Sequence, residues 1–186
     1  MAEATDGGFS GVYPVLRAME EAGRIRRGYF VDGLGAAQFA LAGALDRLRA
    51  VREDAEGQSQ ATVHLLAAAD PANPYGAALA WPRRGEDDRR PLQRAAGAYV
   101  VLVDGVAVLY LERGGSTLQT LPAFDDPAVA TAAVRGLATL VRSGRFRELV
   151  VRKADGEDIA TAPARPALLE AGFVAGYRGL TLRSDR

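Results

Sequence analysis

Val12, Val15, Leu16 and Met19 recur at the spacing of one helix face and Gly23 follows as a stop, so the first expected element is a helix over residues 13–22. Residues 24–33 lose that period and run into Asp32-Gly33, a strong turn pair, which predicts an extended arm with residues 37–41 returning beside it. A helix followed by such a hairpin is the tail of a winged helix. Leu45, Leu48 and Val51 then mark the apolar side of a helix over residues 42–52, with Asp46, Arg47 and Arg49 on the other side. Residues 53–60 are polar and include Gly57, so a flexible joint is expected there, dividing the chain into domains 1–55 and 61–186.

Beyond the joint the pattern changes to period two. Residues 63–69 form a short apolar run that predicts a buried strand, and it ends on Asp70-Pro71-Ala72-Asn73-Pro74-Tyr75-Gly76, dense enough in turn formers to predict a shaped loop. The run from Arg83 to Arg90 mixes both signs and predicts a solvated, mobile excursion whose arginines could also reach a phosphate. Two β-rich runs, residues 98–103 and 106–111, flank Asp104-Gly105 as a two-residue hairpin, and Gly114-Gly115 turns into a third strand over 117–121. Asp125-Asp126-Pro127 opens a helix that Val129, Ala133, Leu137, Leu140 and Val141 carry to residue 142. A strand over 149–151, a short helix over 166–171 stopped by Gly172, and a final strand over 173–182 complete the order β-β-β-α-β-α-β. The fold class expected is α+β, a winged-helix-like N-terminal part followed by a mainly antiparallel sheet with two helices. No internal repeat recurs at a fixed period.

Charge and composition narrow the chemistry. The 23 basic residues equal the 23 acidic ones, so any contact with a polyanion must come from a local patch rather than from the molecule as a whole. Lys153 is the only lysine; so strong an arginine bias beside abundant Ala and Gly fits genomic codon composition, and by itself it argues no function. With no cysteine and the single His64, neither a thiolate zinc site nor a histidine cluster can be built, and no metal site is expected. No apolar run approaches the roughly 20 residues of a membrane span, and residues 1–11 lack the features of a signal peptide, so a cytoplasmic protein is expected.

From Arg26-Arg27-Gly28-Tyr29-Phe30-Val31-Asp32-Gly33-Leu34-Gly35-Ala36-Ala37-Gln38-Phe39-Ala40 the chain resembles the C-terminal region of the Lhr, or large helicase-related, family. The likeness continues through Asp70 to Gly76, from Val103-Asp104-Gly105 to Tyr110-Leu111-Glu112-Arg113-Gly114-Gly115, and into Ala171-Gly172-Phe173 and Gly179-Leu180-Thr181-Leu182-Arg183. It covers residues 8–183 and departs at Ala42, where the family pattern has proline. The resemblance implies ATP-driven 3′-to-5′ translocation on single-stranded DNA, unwinding of duplexes including RNA–DNA hybrids, and a role in DNA repair. The motor is not in this chain, which has no Gly-x-x-x-x-Gly-Lys-[Ser/Thr] phosphate loop; Lys153 lies in Arg-Lys-Ala-Asp instead. ATP and Mg would therefore belong to an N-terminal helicase core of the same polypeptide, and no cofactor is expected here. The implied function is a nucleic-acid-binding accessory region. The resemblance also extends to DNA glycosylases of the AlkZ class, which makes base excision the alternative, and an oligomerisation or structural module is the third class.

The candidate contact set is Arg24, Arg26 and Arg27 with Tyr29, since an extended arm can lay guanidinium groups along phosphates while an aromatic ring stacks on a base. A solvated strand face would look the same, and strand parity separates Arg27 and Tyr29 from Arg24 and Arg26. Asp70 is the candidate catalytic carboxylate, because glycosidic cleavage needs one to stabilise a cationic sugar, with Asn73 and Tyr75 placed to read or stack a flipped base. Ordinary turn chemistry accounts for the same residues, with Asp70 capping its own loop. His64 is expected as a strand residue rather than a catalytic base, and Trp81 as an anchor of its loop against the core rather than a stacking wedge. Ser116 and Ser143 have no base nearby in sequence, which argues against a hydrolase triad, and Gly33-Leu34-Gly35 matches no dinucleotide fingerprint.

Overall fold

A computed structural model describes residues 8–32, 37–57, 61–85, 88 and 92–184. They fall into two compact units, one within Met1–Ser59 and Ala77–Leu79, the other within Gln60–Gly76 and Ala80–Arg186.

In the first unit helix α1 spans Gly8–Glu21 and β1 spans Ile25–Gly28, with β2 at Gln38–Leu41 and α2 at Ala44–Gly57. Helix α1 starts five residues before the expected position and carries Pro14 inside it. It stops where expected: Gly23 takes a left-handed φ of 70°, its N–H donates to Glu20 O, and Arg24 N–H reaches back to Met19 O. Those two bonds satisfy carbonyls that the helix end would leave open. Strands β1 and β2 pair antiparallel, with Ile25 opposite Leu41 and Gly28 opposite Gln38, so the arm and its return form a wing. The turn expected at Asp32-Gly33 extends outside the described residues. Helix α2 runs on to Gly57, so residues 53–57 of the expected joint are helical and only 58–60 lie outside the described residues.

The second unit has β3 at Val63–Ala67, β4 at Tyr99–Val103, β5 at Val106–Leu111 and β6 at Thr117–Thr120. A single 3-10 turn, Pro122–Asp125, leads into α3, Pro127–Arg142. Asp126 caps that helix by accepting from Ala128 N and Val129 N, with Pro127 in the first turn where no donor is needed. Then follow β7 at Glu148–Val151, β8 at Lys153–Ala154, β9 at Glu157–Asp158, α4 at Arg165–Glu170, β10 at Val174–Gly176 and β11 at Gly179–Arg183. Six strands form one sheet in the order β3-β4-β5-β6-β8-β9, antiparallel except where β8 runs parallel to β6. A second, antiparallel sheet has the order β10-β11-β7.

The meander of β4, β5 and β6 and both helices stand where the pattern placed them. Three details differ. Strand β7 pairs with β11 instead of extending the meander; the final strand is a hairpin of two; and the β8–β9 hairpin, turning at Asp155-Gly156, has no counterpart in the expected order. Helix α3 buries Ala133, Val134, Leu137, Leu140 and Val141 against Val101, Leu109 and Leu118 of the large sheet and Leu149 and Leu180 of the small one. One apolar core thus joins both sheets within this unit. No helix of the described residues is long and apolar enough to cross a membrane.

Candidate nucleic-acid interface

The wing divides the predicted contact set. Ile25 is buried, and Arg27, on the same face of β1, turns back onto α1. Its Nη2 donates to Glu20 Oε2 at 2.5 Å, and its guanidinium lies 5.7 Å from the Tyr13 ring centroid and 5.3 Å from that of Phe39. The bond to Glu20 raises the Arg27 pKa above its ordinary value, so this charge is held inside the unit's own polar and aromatic contacts. Arg24 and Arg26 point elsewhere: both are exposed, and among the described residues no carboxylate pairs with either. Tyr29 follows just past the strand with 88% of its surface open, free to stack on a planar partner. Gln38, which the sequence pattern did not single out, fixes this segment. Its Oε1 accepts from Phe30 N and Val31 N, and its Nε2 donates to Val31 O, all at 2.8 Å. One amide side chain therefore continues the ladder past the end of β1 and sets where Tyr29 leaves the wing.

The Asp70 loop is braced from within. Asp70 is partly buried, and its Oδ1 accepts from Ala72 N at 2.8 Å, the side-chain turn that Asp-Pro sequences favour. Asn73 is wholly buried; its amide donates to Ala68 O and Tyr75 O and accepts from Tyr75 N. Tyr75 is 9% exposed, donates its hydroxyl to Gly105 O, and stacks on Trp81 with centroids 5.8 Å apart. Trp81 meets Tyr110 edge-on, so it anchors the loop as expected. Asn73 and Tyr75 thus hold the loop's shape, and neither offers a base an open edge in this conformation. Arg94, which no sequence signal marks because nothing in the polar run around it is periodic, clasps the loop. Its guanidinium donates to the carbonyls of Asn73, Tyr75 and Asp70. Burial raises the pKa of Tyr110, whose hydroxyl donates to Gln93 O, so that group stays a neutral donor.

Arg84, at the start of the run expected as a mobile excursion, is held in place. Its Nη1 donates to both Asp125 oxygens at 2.7 and 2.8 Å, and its Nη2 donates to Thr120 Oγ1 and Leu121 O. A fork gripping a carboxylate and the sheet edge fixes the chain at that point. Arg89 and Arg90 lie outside the described residues, as does Gly33-Leu34-Gly35. His64 sits on β3 opposite Leu102 with its side chain exposed. No hydrogen bond joins it to Ser116, in the β5–β6 turn, or to Ser143, at the C-cap of α3. Among the described residues no group of three His, Asp or Glu could hold a metal ion.

The large helicase-related protein winged-helix domain matches residues 1–60, which hold α1, the wing and α2. The chain is 45% identical, over 98% of its length, to the Lhr helicase/probable uracil glycosylase of Mycolicibacterium smegmatis. It is 34% identical, over 97% of its length, to the Lhr helicase/uracil glycosylase of Escherichia coli. In both cases it spans 12% of the relative, about an eighth of that protein's length. The helix, wing and second helix thus lie in the segment that matches the winged-helix domain of the large helicase-related (Lhr) family, and almost the whole chain aligns with a segment of two Lhr helicases.

Proposed function

We propose that the chain is a nucleic-acid-binding accessory segment of an Lhr-type ATP-dependent 3′-to-5′ DNA helicase acting in DNA repair in the cytoplasm, with the motor elsewhere in the same polypeptide. The observation that carries this is the pair Arg24 and Arg26, exposed and, among the described residues, without carboxylate partners, at the start of a winged-helix wing that ends on an open Tyr29. Exposed guanidinium groups neutralise phosphates, and the phenol ring stacks on an unpaired base; that chemistry suits single-stranded DNA or the strand ends of an RNA–DNA hybrid. ATP and Mg would act in the helicase core, since this chain has no phosphate loop to hold them.

The test is the anisotropy of a labelled single strand titrated with the chain between about 50 and about 200 mM salt. Binding should weaken steeply with salt. Arg24→Ala with Arg26→Ala should lower affinity equally across sequences and flatten the log–log slope by about 0.7 for each phosphate that is no longer neutralised. An unchanged slope would reduce the wing to ordinary surface, and DNA-stimulated phosphate release by the chain would overturn the absence of a motor.

Base excision is a second reading, favoured by the words uracil glycosylase in the names of both relatives. Conversion of a uracil-containing strand to an abasic product by the chain would establish it, and an intact strand would remove it.

A further inference from the structure

The second unit contains a cleft of about 660 Å³ between the β8–β9 hairpin and the β10–β11 hairpin, lined by Arg152, Lys153, Arg165 and Arg178 and rimmed by Tyr177. The fold brings these residues together through one glycine. Gly179 takes φ +121°, and a Cβ there would lie 2.3 Å from Val151 O and 3.1 Å from Arg152 Cα. Only glycine lets the hairpin backbone lie flat against the end of β7. That approach carries the two-residue tip, Tyr177-Arg178, to the side of Arg152.

Positive charge is concentrated in the cleft. The chain has a formal net charge of +0, yet four cations meet here with one carboxylate, Asp158. Asp158 is already engaged, its Oδ1 accepting from Ala160 N at 2.8 Å. Among the described residues none of the four cations has an ion-pair or hydrogen-bond partner for its side chain. Cations gathered in a concave site without counter-charges repel one another and concentrate anions. Tyr177 has 106% of its reference surface exposed, so its ring contributes nothing to the core and is fully available to a ligand. The charges come from three separate elements, the β7–β8 junction, α4 and the hairpin tip, an arrangement suited to successive phosphates rather than to one converging on a point.

We propose that this cleft binds the backbone of a single-stranded nucleic acid, with Arg152, Lys153, Arg165 and Arg178 on phosphates and Tyr177 stacked on a base. It rests on the reading that the chain binds single strands, and it adds a contact surface in the second unit that is independent of the wing.

The test uses the whole chain and a labelled oligo-thymidine strand. Arg152→Ala with Arg178→Ala should lower affinity about tenfold near 0.1 M salt and flatten the salt slope by about 1.4, two phosphates at about 0.7 each. Tyr177→Ala should lower affinity at least about fivefold while Tyr177→Phe binds as wild type, because stacking needs the ring and not the hydroxyl. Melting curves check folding; if the double variant melts early, Arg178→Glu, confined to the exposed turn, decides by the same loss of affinity. Wild-type affinity and slope in the cleft variants, beside weakened binding in Arg24→Ala with Arg26→Ala, would overturn the cleft and leave the wing standing. Absence of binding by the wild-type chain overturns both. Displacement of the strand by low concentrations of free inorganic phosphate, with the same sensitivity to Arg178→Ala, would make the cleft a small-anion site and also overturn the proposal.

Discussion

Asp70 and Asn73 lie three residues apart in one turn-rich loop, and the structure gives them unequal weight. Replacing Asn73 with Ala leaves Ala68 O and Tyr75 N without their partner at a position that is 0% exposed. Each stranded buried group costs about 1–3 kcal/mol, so Asn73→Ala should destabilise the second unit by about 2–4 kcal/mol in urea unfolding. Asp70→Asn keeps an acceptor for Ala72 N, and its effect should stay within about 0.5 kcal/mol. Equal losses in the two variants would show that Asp70 contributes through its charge and not through its turn. At this scale the sequence marks the loop but not the role of its residues. An Asn that braces a turn and an Asn that reads a base are written with the same letter. What separates them here is Arg94, 21 residues farther along, whose guanidinium closes over the Asn73 carbonyl. Likewise Arg27 reads as a phosphate contact beside Arg26 until Glu20, on the preceding helix, is seen to hold it.

Among elements, local chemistry is legible in the sequence and long-range pairing is not. Asp104-Gly105 reads as a two-residue turn because long apolar runs flank it, and both residues take the left-handed φ such a turn requires, 48° and 81°. Asp155-Gly156 has the same letters and the same geometry, 54° and 88°, but its strands are two residues each and too short to show alternation. The pairing of β7 with β11 joins residues about thirty apart through no local signal. Helix α3 is legible in its apolar face and its cap, but the reason for Gly136 in its interior lies in the sheet beneath. A Cβ at Gly136 would stand 2.5 Å from Val63 Cγ1 and 3.2 Å from Val101 Cγ1. Alanine would gain about 1 kcal/mol of helix propensity but overpack the helix–sheet contact at a cost of about 1–3 kcal/mol. Gly136→Ala should therefore destabilise by up to about 2 kcal/mol, and Val63→Ala in the same chain should recover part of that loss. A stabilised Gly136→Ala, or strict additivity of the pair in denaturant unfolding, would show that α3 and β3 have room to spare.

Taken as a whole, the molecule distributes its burial unevenly. Among the described side chains of the first unit only Ile25 is fully buried, and Val15, Leu41, Leu45, Leu48 and Val51 are exposed. The amphipathic pattern that predicts α1 and α2 is real, but within this unit it covers little apolar surface. The second unit buries Leu109, Leu118, Leu137, Leu140, Leu149 and Leu168 to 0 or 1% exposure in one cluster. Each such side chain contributes about 1.5–3 kcal/mol, so the two units should differ in stability by several such contributions. Native-state hydrogen exchange at rising denaturant measures this directly. Amides of α2 and the wing should exchange through small openings with weak denaturant dependence, whereas those of α3, β4 and β5 should wait for unfolding of the whole second unit. Matching free energies and denaturant slopes for α2 and α3 would mean that the chain unfolds as one cooperative body. A wing that opens locally while the sheet stays folded would release a strand from Arg24, Arg26 and Tyr29 on its own timescale. The two proposed contact surfaces would then differ in lifetime as well as in location.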